Sequence, residues 1–310
     1  MNKNKWKSDF SGAYHEPRIL VFVLWYGKWP QYIRAFLESC RWNSTIDWLI
    51  ITDQDQPADC PPNVRIRQMS FDSLRQYAGG ALGIVPQWKD SYKLCDVRPA
   101  LGFVFSEEIK AYDFWGYGDT DVIYGNIRAI YNGDVWQHDV ISSHEILVAG
   151  HFCLLANKAE IVKAFMKVRG WKAIIADARH RAFDEVYFSH MFMAASWRQP
   201  FRRVFAPFVG GALLREQFSS DHAPLRWIDG SKKFPSRWFW REGRLTAEGA
   251  GDREFLYLHL SAWQSARWNR AKEAPWKDLE KIDQLPPEKP SAFMISRNGI
   301  QQLEEPAEII

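Results

Sequence analysis

Arg18-Ile19-Leu20-Val21-Phe22-Val23-Leu24-Trp25-Tyr26-Gly27 is an unbroken apolar run that ends on a glycine. Strands buried on both faces of a parallel sheet have this pattern, whereas strands with one wet face alternate. A turn at Lys28-Trp29-Pro30 follows, and residues 31–41 then carry Tyr32, Ile33, Phe36 and Leu37 at helical spacing. Asp47-Trp48-Leu49-Ile50-Ile51-Thr52-Asp53 has the pattern of a second buried strand. Strand, helix and strand make a βαβ unit, which sets the chain in the α/β class. Ligands of open α/β sheets bind beyond the carboxyl ends of the strands, so Tyr26 and Asp53 are expected on a binding rim.

The next strong strand signal, Phe114-Trp115-Gly116-Tyr117-Gly118, runs into Asp119-Thr120-Asp121 and then Val122-Ile123-Tyr124-Gly125. Strand side chains alternate, so carboxylates at Asp119 and Asp121 would leave on the same side. Such a pair repels itself unless a cation sits between, and Mg²⁺ or Mn²⁺ suits hard oxygen ligands. A Gly-Asp turn facing water is the plainer outcome. Just before this motif, residues 91–102 hold Lys93, Asp96 and Arg98. Pro99 is expected to interrupt or start a helix there, which sets Arg98 at a helix N-terminus near the rim, where a guanidinium suits a pyrophosphate. A Lys-Asp pair on a solvated helix face is the structural alternative.

Shorter signals fill the rest. Residues 64–69 alternate as a short strand, Phe71-Asp72-Ser73-Leu74 reads as a capped helical turn, and Gly79-Gly80 reads as a loop. Residues 139–143 and 150–157 are expected strands, with His151 a candidate to face the site, and 158–168 an expected helix. Asp184 and Glu185 open a helix; the macrodipole explains two acids there, and so does a role as base or orienting group toward a hydroxyl. Ser236-Arg237-Trp238-Phe239-Trp240-Arg241 interleaves cations and aromatics, as a glycan platform or a packed rim segment would. Residues 255–263 form a late strand carrying His259, and a Pro-rich hinge at 285–290 precedes a short apolar piece, 292–296, whose tail docks, pairs with a partner or stays mobile.

Composition narrows the function classes. With 46% apolar and 25% charged residues over 310 positions, the chain buries a sizeable core and is not of the disordered type. A net charge of +3 gives no support to nucleic-acid binding. Four scattered cysteines, Cys40, Cys60, Cys95 and Cys153, show neither zinc spacing nor a disulfide framework. No G-x-G-x-x-G or Walker sequence occurs, which disfavours dinucleotide and P-loop chemistry. The polar start, 1–12, and the absence of any run of about 18 apolar residues lead us to expect a cytoplasmic protein, at most peripheral at the inner face of a membrane.

In this order, βαβ, Lys-Asp-Arg segment, strand-Asp-x-Asp, Phe-Asp-Glu helix start and late strand with a histidine, the motifs resemble GT-A class nucleotide-sugar-dependent glycosyltransferases. The nearest likeness is to small bacterial enzymes of polysaccharide and lipopolysaccharide assembly. The resemblance spans roughly residues 18–263 and implies a Rossmann-like, mixed, mostly parallel sheet flanked by helices, with an aromatic-rich C-terminal extension. It implies a polar segment 1–17, a catalytic domain 18–270 and a tail 271–310. By the same resemblance Asp119, Asp121 and His259 would hold Mn²⁺ or Mg²⁺. Tyr26, Asp53, Lys93, Asp96, Arg98 and Asp119 would hold the nucleotide-sugar donor, UDP-linked first of all. Asp184 and Glu185 match the catalytic acidic position, in inverted Asp-Glu order, and the acceptor would be a glycan or glycolipid hydroxyl. Two other classes remain open: a non-catalytic carbohydrate-binding protein with a structural Ca²⁺, and a metal-dependent nucleotidyltransferase or phosphohydrolase.

Overall fold

The computed structural model describes residues 16–192, 211–220, 226–260, 291–296 and 299–303. The opening apolar run becomes β1 (Ile19–Trp25), followed by β2 (Ile46–Thr52), β3 (Val64–Gln68), β4 (Phe114–Gly118) and β5 (Val122–Tyr124). Next come β6 (Val140–Ser142), β7 (Phe152–Ala156), β8 (Ala212–Leu214), β9 (Arg237–Arg241) and β10 (Arg244–Ala247). The last are β11 (Tyr257–His259), β12 (Ala292–Ser296) and β13 (Gly299–Gln302). Seven strands join one sheet in the order β3-β2-β1-β4-β7-β6-β8. All neighbours in it are parallel except β7, which runs against both β4 and β6. The chain is thus α/β, with a mixed, mostly parallel sheet.

Alternate residues of β1 explain why its sequence is apolar without a break. Ile19, Val21 and Val23 enter the core layer that holds Phe36 of α1 (Ile33–Arg41), while Leu20 and Phe22 enter the opposite layer with Leu74 of α2 (Phe71–Leu82). The expected turn at Phe71 is therefore a full helix, capped by Ser70, whose hydroxyl accepts from the Ser73 N–H at 3.1 Å. The Gly79-Gly80 pair lies inside that helix and not in a loop. Glycine is needed there for close approach, since a Cβ on Gly79 would stand 2.8 Å from the ring of Pro86.

The aromatic tract expected as a platform or rim is core. β9 sits between β10 and β12 in a four-stranded sheet, β10-β9-β12-β13, and Trp238 and Trp240 are 1% and 0% exposed. Trp240 stacks on Phe293 with centroids 4.7 Å apart and donates to the Tyr124 carbonyl at 2.9 Å. The apolar tail piece is β12 itself, antiparallel to β9. Residues 1–15 and the hinge at 285–290 lie outside the described residues. Among the described residues no helix is long and apolar enough to cross a membrane.

Candidate metal and anion site

Six strands of the large sheet point their carboxyl ends at one rim, and the reversed β7 brings its amino end there. Tyr26 follows β1, Asp119 follows β4, His144 follows β6, and Gly150 and His151 precede β7. The rim encloses a cavity of about 860 Å³ whose wall includes Tyr26, Arg98, Asp119, Asp121, His144, Asp184, Glu185 and His259.

Asp119, Asp121 and His259 each offer a ligand atom within 4.8 Å of the others. The two carboxylates converge from a tight turn between β4 and β5 and not by strand alternation. The distant histidine arrives because β11 pairs antiparallel with β5, setting His259 opposite Val122. The Leu260 N–H donates to the Asp121 carbonyl at 2.7 Å, which fastens the two segments at the site. His259 turns Nε2 toward the Asp121 carboxylate at 3.6 Å, while its Nδ1 lies 3.2 Å from the Ser220 hydroxyl. One imidazole nitrogen toward the acids and the other held by a hydroxyl is how metal-binding histidines are oriented. The two carboxylates suit Mg²⁺ or Mn²⁺, and the imidazole beside them suits Mn²⁺ better than Ca²⁺, which takes oxygens alone.

Arg98 stands beside this triad. It lies in the last turn of the 3₁₀ helix Ser91–Ala100, with Pro99 inside the same helix, and not at a helix N-terminus as expected. Its guanidinium pairs with Asp119 and, at 3.0 Å, with Asp184. Gly150 makes room for this cluster, because a Cβ there would lie 2.7 Å from Asp184, 2.9 Å from Arg98 and 2.9 Å from Glu185. Burial pushes the Asp119 carboxyl up to about 6, with Arg98 opposing and Asp121 adding to the rise. Burial likewise lifts Asp184 to about 7, with Arg98 opposing and Glu185 adding. Asp184 is 1% exposed, whereas Glu185 is half-buried and its carboxylate takes no hydrogen bond from the described residues.

Lys93 and Asp96, expected at the donor, are instead fully buried behind the cavity wall. All three N–H groups of Lys93 are used, by Asp96 at 2.6 Å and by the carbonyls of Ile174 and Arg179 at 2.7 and 2.9 Å. Asp96 then accepts the N–H groups of Arg181 and Phe183 at 2.8 and 2.7 Å. Those amides flank Ala182, a cavity residue held in the left-handed region at φ 51°. The pair is a strut that fixes the entry to the π-helix Phe183–Phe188, and so the position of Asp184 and Glu185. Asp96, His180 and Asp184 also approach within ligand distance of one another. Lys93 pairs with Asp96, and Arg98, shared with Asp119, pairs with Asp184, so cationic side chains already contact this second cluster.

Tyr26 lines the cavity, packed edge-on against Phe71 at 5.5 Å. Asp53 is exposed and outside the wall; its carboxylate accepts the Gly27 N–H at 3.1 Å and holds the turn after β1. Two residues that the sequence patterns do not mark stand out. His144 Nδ1 is 3.0 Å from the buried Glu216 carboxylate, and Glu216 also accepts the Phe218 N–H at 2.9 Å. Burial would lift Glu216, but the His144 contact and the backbone N–H groups outweigh it and hold the carboxyl below the usual range. His151 links the two histidine sites, stacked on His259 at 3.9 Å and edge-on to His144 at 5.0 Å. A histidine just past the carboxyl end of a strand was the available signal for His144.

The site can therefore hold a divalent cation with an arginine and aromatic rings at hand for an anionic, ring-bearing ligand. No curated protein matches the chain in sequence. The profile of a family of unknown function, DUF6625, matches residues 21–303, and the chain belongs to that family.

Proposed function

We propose that this member of the DUF6625 family is a metal-dependent glycosyltransferase of the GT-A class. It moves a sugar from a nucleotide donor, UDP-linked first of all, to a glycan or glycolipid hydroxyl in bacterial surface polysaccharide assembly, working in the cytoplasm or against the inner face of the membrane. The observation that carries this is the convergence of Asp119, Asp121 and His259 beside Arg98, in a cavity at the carboxyl rim of a mostly parallel sheet. Those three residues would hold Mn²⁺ or Mg²⁺. When bound, such an ion supplies positive charge to a leaving diphosphate.

This chain's own residues do the rest. Arg98, poised between Asp119 and Asp184, brings a second positive group to the same diphosphate. Tyr26, which lines the cavity, offers a flat ring for a base or sugar, as do Tyr92 and Tyr187. Lys93 and Asp96 keep Asp184 and Glu185 in register. Trp238 and Trp240 are buried, so the indoles of the 236–241 tract offer no exposed face for a glycan.

Thermal-shift titration with UDP, UDP-glucose, UDP-galactose and UDP-N-acetylglucosamine, each with and without Mn²⁺, tests the proposal. Stabilisation that requires both Mn²⁺ and the nucleotide, and that Asp121→Ala and His259→Ala abolish, is expected. Stabilisation by glycans alone, with no response to nucleotides, would sink it.

A further inference from the structure

Transfer to a hydroxyl needs an acceptor for the hydroxyl's proton. Asp184 already faces a guanidinium, and nothing among the described residues orients the Glu185 carboxylate. His144 is different in both respects. It is 5% exposed yet lines the cavity, Glu216 lies behind it, and no hydrogen bond from the described residues reaches its Nε2. We infer that His144 Nε2 takes the proton of the attacking hydroxyl and that Glu216 is its positioning residue. This rests on the glycosyl-transfer reading above.

The tautomer follows from the hydrogen bonds. An ionised Glu216 can only accept, so in the neutral imidazole the N–H is at Nδ1, which leaves the Nε2 lone pair free to accept a proton. A carboxylate behind a histidine also stabilises the imidazolium that proton uptake creates. In the step itself the bond from the sugar C1 to the diphosphate oxygen breaks and its electron pair stays with the diphosphate. The acceptor oxygen bonds to C1, and its proton passes to Nε2. Water serves as acceptor when no glycan is present, which gives hydrolysis of the donor.

Glu216→Gln is the discriminating variant. The Phe218 N–H needs the side-chain oxygen on its side, so the new amide NH₂ is turned toward Nδ1. It would donate to Nδ1 and move the imidazole proton to Nε2, converting an acceptor into a donor while the ring stays in place. The experiment follows UDP release from UDP-glucose, UDP-galactose and UDP-N-acetylglucosamine with Mn²⁺, together with ¹⁵N NMR of the histidine nitrogens. Expected are an unprotonated Nε2 in the parent and a protonated one in Glu216→Gln. Turnover should fall about 10²- to 10⁴-fold in Glu216→Gln and His144→Asn, with KM and Mn²⁺ affinity kept.

An Nε2–H tautomer in the parent overturns the inference, and that measurement does not depend on how the His144 variant folds. Loss of turnover in Glu185→Gln but not in His144→Asn overturns it too, and leaves the transferase reading standing. Absence of Mn²⁺-dependent turnover of every donor by the parent overturns the transferase reading itself.

Discussion

Replacing Lys93 by Met separates a strut from a ligand-binding lysine. The ammonium is fully buried and bonded to Asp96 and two carbonyls, so its loss strands a buried carboxylate and two carbonyl oxygens. Removing one partner of a buried ion pair costs about 3–5 kcal/mol. At about 2.1 cal/mol/K of unfolding entropy per residue, the 310-residue chain changes by roughly 0.65 kcal/mol per degree, so Tm should drop about 5–8 °C. Lys93→Met combined with Asp96→Asn should recover part of that loss. The amide removes the stranded charge and still offers an oxygen to the Phe183 N–H. Differential scanning calorimetry of the parent, the single and the double variant measures both. A Tm within about 1 °C of the parent for Lys93→Met, accompanied by lost nucleotide binding, would refute the strut and return Lys93 to the ligand.

Three further outcomes follow from the same site. Ser220→Ala removes the hydroxyl at His259 Nδ1 and should weaken Mn²⁺ binding about 10- to 100-fold by calorimetric titration, while leaving the fold intact. Gly150→Ala drives a methyl between Asp184, Arg98 and Glu185, and should destabilise by about 1–3 kcal/mol in urea unfolding; an unchanged midpoint would count against the packing described. Asp119 and Asp184 have folded pKa values lifted to about 6 and about 7, above those of the unfolded chain, so between roughly pH 4 and 7 the native protein binds more protons. Their contribution to the stability of the metal-free protein is therefore present at the acid end of that window and is lost as pH rises through 6 to 7. Asp184→Asn should flatten this part of the stability profile.

The fold was legible where burial forces a pattern. β1 and β2 are covered on both faces, so their sequences could hardly be anything but apolar, and the βαβ reading and the rim followed. The triad of Asp119, Asp121 and His259 was marked by residue type and order, though the sequence could not show the β5–β11 pairing that brings the histidine in. Lys93 and Asp96 misled because a charged pair at i,i+3 looks the same whether it faces a ligand, solvent or the interior. Only the carbonyls of Ile174 and Arg179, some eighty positions away, decide it. Trp238 and Trp240 misled for a similar reason, since the rings packed on them belong to Trp227, Phe255 and Phe293, far enough along the chain that the tract itself does not show them. The pair of His144 and Glu216 needs two strands, β6 and β8, laid side by side, and neither is longer than three residues.

The short ribbon of β5 and β11 has a consequence for how the protein is made. Its pairing joins Val122 to His259, a long loop that must close before the site exists. A ribosome that has delivered the large sheet as far as β7 has exposed both aspartates but not the histidine. Nascent chains at that stage hold an acidic pair without its third partner, and domains fold as they emerge. If the triad holds a metal as proposed, competence to bind it would therefore come late in synthesis, with the residues around 257–260.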